Sequence, residues 1–293
     1  MTGGRVMVAM SGGVDSSVAA ALAVEAGHDV VGVTLKLWGG ESDSGCCSVS
    51  DVDDARRVAD QLGIEHHVFN FGDEFTDHVI DPYVGAHAAG RTPNPCIECN
   101  RHLKFDHLLR RAELLGFDAV ATGHHARLGH DPAGRVHLRR GADTDKDQSY
   151  VLYVVAGATL DRVEFPVGHL TKDQVRAEAA RLGMRTASKP DSQDVCFITS
   201  TQGRAGFLDG RMRSTPGTVV DTDGVEVGAV DAVELITIGQ RRGLGIGGAG
   251  EPRYVVDVDV PAARVTIGPR RALDTDGIEV IDVVWAHEPL EGP

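Results

Sequence analysis

Short apolar blocks alternate with longer amphipathic stretches through the first half of the chain. Residues 6–10, 30–37, 67–71 and 118–122 are apolar runs of strand length. Between them, 16–26, 51–62 and 104–115 read as helices. The last carries Phe105, Leu108, Leu109 and Ala112 at the i, i+3, i+4, i+7 spacing of one helix face. Strand and helix in alternation predict an α/β fold, a doubly wound parallel sheet covered on both faces. Ligands of such sheets sit at the carboxyl ends of the strands.

The pattern changes near residue 200. GTVVDTDGVEVG (217–228) sets two alternating runs around an Asp-Gly pair, which predicts a hairpin, and YVVDVDVPAARVTIGP (254–269) reads as two more strands. Residues 278–285 read as one further strand, too little for a domain by itself. The expected organisation is a catalytic domain over 1–203, a small β-rich domain over 204–273, and the start of a further domain over 274–293.

At 293 residues with 42% hydrophobic and 25% charged content, the composition is that of a globular protein with room for a large core and a smaller one. Neither a charged-then-apolar leader nor a run of about 18 apolar residues is present, so the expectation is a soluble, cytoplasmic protein without membrane contact. The formal charge of -14 argues against a nucleic-acid partner. Its distribution changes that picture: residues 1–90 hold 4 basic and 14 acidic side chains, 91–213 hold 19 and 15, and 214–293 hold 6 and 14. The basic middle third contains NPCIECN (94–100). The five cysteines, Cys46, Cys47, Cys96, Cys99 and Cys196, are too few and odd in number for a disulfide framework, and point to thiol chemistry or a metal.

Between the first strand and first helix lies SGGVDSS (11–17). Gly12 and Gly13 permit a tight turn, the helix behind them directs its free N–H groups at an anion, and Ser11, Ser16 and Ser17 add hydroxyls. A loop of this kind suits phosphate, although the lysine of a Walker A loop is missing. Asp15 would repel bare phosphate, which calls for a bridging Mg²⁺.

SGGVDS resembles the loop of the PP-loop ATP pyrophosphatases, which split ATP between the α and β phosphates. Five further stretches narrow the resemblance. RTPNPCIECNRHLKF (91–105), ATGHHAR (121–127), KDQSYVLY (146–153) and SKPDSQDVCFI (188–198), followed by IGQRRGLGIGG (238–248), are similar in content and order to the tRNA-specific 2-thiouridylases. The resemblance implies an ATP-dependent enzyme that adenylates the C2 oxygen of the wobble uridine of tRNA and replaces that oxygen with sulfur, with tRNA and a persulfide sulfur-donor protein as partners. It implies Cys99 as nucleophile and Cys196 as persulfide carrier, joined at the end of a turnover in a Cys99–Cys196 disulfide. A uracil oxygen is a poor leaving group until phosphorylated, and a persulfide resolved by a second thiol is a competent sulfur source. Arg101, His102 and Lys104 near Cys99 give a positive setting that favours thiolate.

The same resemblance places ATP against Ala9, Met10, Ser11, Gly12, Gly13, Val14, Asp15, Ser16, Leu35 and Gly123. It places the target base and tRNA against Asn94, Pro95, Cys96, His124, Lys146, Asp147 and Gln148. A side chain at Gly123 would obstruct the nucleotide, and His124 reads equally well as scaffold. Cys96 stands where part of the family has Asp. It leaves open a [4Fe-4S] cluster on Cys96, Cys99 and Cys196, or a zinc with His102 or His124. No role is assigned to Cys46 and Cys47. Family members continue through a second β-barrel, of which 274–293 would be only the start. The alternative is therefore a nucleotide- and tRNA-binding module with weak or no thiolation.

Overall fold

The computed structural model describes residues 3–38, 48–191, 195–199, 201–247 and 251–286. Cys46 and Cys47 lie outside them. The chain divides into two compact units: the described parts of Met1–Val79, Cys96–Thr199 and Val283–Pro293, and those of Ile80–Pro95 and Ser200–Asp282.

The first unit is built on a five-stranded parallel sheet. Its strands are β1 (Arg5–Ala9), β2 (Asp29–Lys36), β3 (Glu65–Asn70), β4 (Ala119–Thr122) and, beyond a hairpin of β5 (Ala126–His130) and β6 (Val136–Arg140), the short β7 (Val163–Glu164). The order across the sheet is β3-β2-β1-β4-β7. Central strands buried on both faces are largely apolar, and RVMVA and DVVGVTLK carry their charges only at exposed ends. β3 is an edge strand, so EHHVFN is mostly polar and leaves Val68 exposed.

Helix α1 (Val14–Glu25) follows β1 and α2 (Val49–Leu62) precedes β3. The sequence of α1, VDSSVAAALAVE, is rich in alanine. Small side chains that lose no rotamer freedom let the helix lie close to β1, with Val18, Ala19, Ala20 and Ala21 buried against Val6, Val8 and Met10. The helix Lys172–Arg181 packs on α1. It is started by a capping box in which Thr171 Oγ1 accepts the Gln174 N–H and Gln174 Oε1 accepts the Thr171 N–H.

The helix predicted over 104–115 begins earlier. Pro95–Glu98, Cys99–His107 and Leu108–Leu114 form one helical run whose middle nine residues are wound as π-helix. Proline opens it because the first helical turn needs no N–H there. The β5–β6 hairpin has no counterpart among the predicted elements.

In the second unit, β8 (Gly217–Asp221) and β9 (Glu226–Val230) form the predicted Asp-Gly hairpin, and β10 (Tyr254–Asp259) pairs antiparallel with β11 (Arg264–Gly268). A parallel pairing of β11 with β8 completes the order β10-β11-β8-β9 around a core of Val219, Val233, Leu244, Val255, Val265 and Ile267. The strand predicted over 278–285 does not form. A strand exists through its ladder bonds to a neighbour, and Ile278, Val280 and Ile281 remain 83%, 69% and 72% exposed. Among the described residues no helix is long and apolar enough to cross a membrane.

Candidate functional site

The phosphate loop leaves the carboxyl end of β1, which lies between β2 and β4. There the strand order reverses, which is where ligands of such sheets bind. Gly12 takes φ +72°, and a Cβ on it would stand 2.2 Å from the Asp51 carbonyl oxygen. Gly123, just past β4, is crowded by the loop itself. A Cβ there would lie 2.6 Å from the Ser16 nitrogen, so glycine is needed for the approach of α1.

Gly13 caps α1 without a side-chain hydrogen bond, which leaves first-turn N–H groups for an anion. All three serines serve the loop's own shape, with Ser11 Oγ 3.3 Å from Ser16 Oγ. Ser16 Oγ and Ser17 Oγ donate to the Gly13 carbonyl at 3.1 and 2.8 Å, and the Ser11 N–H donates to Ser16 Oγ. Ala9 ends β1 and Met10 follows it, its carbonyl accepting from buried Thr34 Oγ1, and Leu35 is buried on β2. A glycine-shaped loop on an uncapped helix N-terminus fits the phosphates of ATP.

Asp15, in the first turn of α1, meets an ammonium rather than open space. Lys172 Nζ donates to both its oxygens at 2.8 and 2.7 Å, and His125 Nε2 lies 3.2 Å from Oδ1. Burial alone would push the Asp15 carboxyl up. The hydrogen bonds from His125 and Lys172 outweigh it and hold the carboxyl below the usual range. Asp15, the residue expected to hold Mg²⁺, is here paired with Lys172 and His125. Lys172 also reaches Asp191 Oδ1 at 3.0 Å, and Asp191 takes Lys146 at 2.8 Å and Arg176 at 2.7 Å. Lys189 Nζ donates to the Gly12 carbonyl and to Asp51 and Asp54, at 2.7–2.9 Å. Lys172, Lys189, His125 and Asp191 are absent from the residues read from sequence. His125, Lys189 and Asp191 lie inside quoted motifs, whereas Lys172 lies in none.

Cys99 is buried at the start of the π-helical stretch. Its neighbour Asn100 is also buried and donates to the Val151 carbonyl at 3.0 Å. The positive setting expected around Cys99 is partly spent elsewhere: Arg101 and His102 both reach Glu98 at 3.3 Å, and Lys104 Nζ lies 3.5 Å from His124 Nε2. Burial, and then the stacked ring of His78, pull the His102 pKa down. Cys196 is half-buried in an irregular stretch. The next residue, Phe197, packs edge-on against buried Phe75 at 5.7 Å, and the turn Gly72–Phe75 in turn touches the Cys99 run. Both cysteine segments thus flank one turn. Cys96 packs at the margin of the cluster formed by Phe105, Val151 and Leu152. Among the described residues no group of three or more His, Cys, Asp or Glu is arranged to hold a metal ion, so the [4Fe-4S] trio and the zinc set do not fit the arrangement.

His124 is buried between Phe105 and Phe165, with Nδ1 2.7 Å from Thr122 Oγ1; burial, then Lys104, hold its pKa well below the ordinary value. These are scaffold surroundings. Asp147 accepts from the Gly141 and Ser149 N–H groups, and Gln148 exchanges two hydrogen bonds with the His125 backbone. They stitch their loop to the hairpin, while Lys146 is the exposed member of the three. Asn94 is exposed and Pro95 buried.

Residues 4–200 match the family model described as the tRNA methyl transferase HUP domain, and 205–269 match its PRC-barrel domain. The chain is 50% identical to the tRNA-specific 2-thiouridylase MnmA of Beutenbergia cavernae, over 98% of this chain and 78% of that protein. It is 51% identical to the protein of the same name from Rhodococcus jostii, over 96% and 78%. Among solved structures, the U34-tRNA thiolase NcsA from Methanococcus maripaludis matches 71% of this chain and 65% of its own, at 18% identity and a TM-score of 0.43. The sheet order, the glycine loop at its switch point, and likeness at half identity along nearly the whole length lead to one conclusion: the chain belongs to the MnmA family of tRNA-specific 2-thiouridylases.

Proposed function

We propose that the chain thiolates the wobble uridine of tRNA at C2, using ATP to turn the oxygen into a leaving group. What carries the reading is the likeness, at about half identity and nearly full length, to proteins named tRNA-specific 2-thiouridylases. The glycine loop on α1 supplies a seat for the phosphates, and two cysteines on segments flanking Gly72–Phe75 supply the thiols.

In this reading the uracil C2 oxygen attacks the α-phosphate of ATP, and pyrophosphate leaves toward the loop. The terminal sulfur of a Cys196 persulfide, loaded by a donor protein, attacks C2 and expels AMP with the original oxygen. Cys99 then attacks the Cys196 sulfur, breaks the S–S bond to the thiolated base, and leaves a Cys99–Cys196 disulfide that an external thiol reduces. The chain's own groups do the positioning: Asn100 anchors the Cys99 run, and Arg176 and Asp191 anchor the approach to Cys196. Lys146 and the basic middle third supply phosphate contacts for tRNA, with Asn94 to Cys96 near the base. A binding module without thiolation is the poorer reading, since both family regions match along the chain.

The test is to incubate the chain with unmodified tRNA, ATP, Mg²⁺ and a persulfide donor and to analyse the nucleosides by mass spectrometry. The expected products are 2-thiouridine and pyrophosphate. Pyrophosphate without 2-thiouridine would sink the sulfur transfer and leave the adenylation standing.

A further inference from the structure

Lys172 has the chemistry of a phosphate ligand and the position of one, and no step above uses it. Its ammonium touches both oxygens of Asp15 in the first turn of α1, the turn whose N–H groups face the anion seat. The side chain is only 12% exposed, so the charge is held at the loop and not spread into solvent. It is aimed by its backbone: Lys172 is the first residue of its helix, its N–H donates to Asp143 Oδ2 at 2.8 Å, and the Thr171 capping box fixes the turn. The far side of Asp15 is closed by His125, 3% exposed, whose Nδ1 has no hydrogen-bond partner among the described residues. The loop therefore contains a carboxylate that repels phosphate and an ammonium that cancels it. An entering polyanion can compete with Asp15 for that ammonium.

We infer that Lys172 is a nucleotide-contacting residue that moves from Asp15 onto the β and γ phosphates of ATP and holds the departing pyrophosphate. This rests on the ATP-dependent reading above. As the α–β bond breaks, negative charge grows on the pyrophosphate oxygens, and a fixed ammonium beside them stabilises that charge without reorganisation. Asp191, which also touches Lys172, remains held by Lys146 and Arg176 when the ammonium shifts.

The experiment is calorimetric titration of the full chain with ATP, pyrophosphate and AMP, in parallel with thermal melting. Lys172→Met is expected to weaken ATP and pyrophosphate roughly 10- to 100-fold and to leave AMP within about twofold. Lys172→Arg, which keeps a charge, is expected to recover most of the loss. Glu178→Gln, on the same helix but paired with Arg181 and not with the loop, is expected to match the wild-type chain. The double variant Lys172→Met/Asp15→Asn separates a lost ligand from an unmasked carboxylate, and is expected to stay weak for pyrophosphate. Unchanged pyrophosphate affinity in Lys172→Met overturns the inference, as does an equal loss for AMP, an equal loss in Glu178→Gln, or full recovery in the double variant. Should Lys172→Met not fold, an unchanged ratio of pyrophosphate to AMP affinity in Lys172→Arg overturns it instead. A wild-type chain that binds no ATP overturns it together with the nucleotide reading, whereas tight wild-type ATP binding with an indifferent Lys172→Met overturns it alone.

Discussion

Cys99 and Cys196 stand on opposite kinds of support. Cys99 is buried within a helical run that is packed into a core by Leu103, Phe105 and Leu108 and anchored by Asn100. Cys196 is half-buried in an irregular stretch, tied to the body by Phe197 on one side and by polar contacts five to seven residues earlier on the other. A packed apolar anchor resists displacement because every shift opens a void, whereas ion pairs at partly exposed positions give way at little cost. The difference suits a division of labour: a carrier that must meet a donor protein and then the base, and a resolving thiol that waits in one place.

The largest effect should come from the thiols themselves. Cys99→Ser and Cys196→Ser are each expected to lower 2-thiouridine formation by at least about 10³-fold while pyrophosphate release stays within a few-fold, because only the sulfur stage needs them. Nucleoside mass spectrometry beside a pyrophosphate assay reads both; loss of both activities together would erase the distinction between the stages. Phe75→Ala removes the buried ring shared by the two segments, and is expected to cost about 3–5 kcal/mol of stability in chemical denaturation.

On the packed side, burial keeps His124 neutral in the folded chain, with a pKa well below the ordinary value. The unfolded chain takes up that proton first as pH falls. Stability is therefore full above about pH 6.5 and is lost below it, at up to about 1.4 kcal/mol per pH unit from this group. His124→Gln should flatten that part of the melting curve against pH between 7 and 5; an unaltered slope would show that other groups set it. The smallest effect belongs to the polar side. Arg176→Ala removes hydrogen bonds to the Ala187 and Lys189 carbonyls and to Asp191, at a partly exposed site, for about 1 kcal/mol. It should slow thiolation more than pyrophosphate release if the approach to Cys196 is what it positions.

Much of this was legible from local pattern. β1, β2, β4 and α1 follow from apolar blocks and a serine-glycine loop, and the Asp-Gly hairpin β8–β9 from its turn residues. The 278–285 stretch was misread because its residues favour a strand, while a strand is decided by a neighbour the alternation cannot reveal. The π-wound run was half seen: its C-terminal part keeps helical spacing, and its wider middle does not.

Sequence alone determined the parallel α/β architecture, the phosphate loop and the identity of the reactive residue types, since each is encoded within a few neighbouring positions. Only the tertiary structure decided what surrounds them. Lys172 meets Asp15 across 157 residues and Lys189 meets Asp51 across 138, and charge pairs of that separation leave no local trace. It also set Gly123 against the backbone of α1 and gave Asp147, Gln148 and His124 their hydrogen-bond partners, because such contacts belong to the folded neighbourhood and not to the motif.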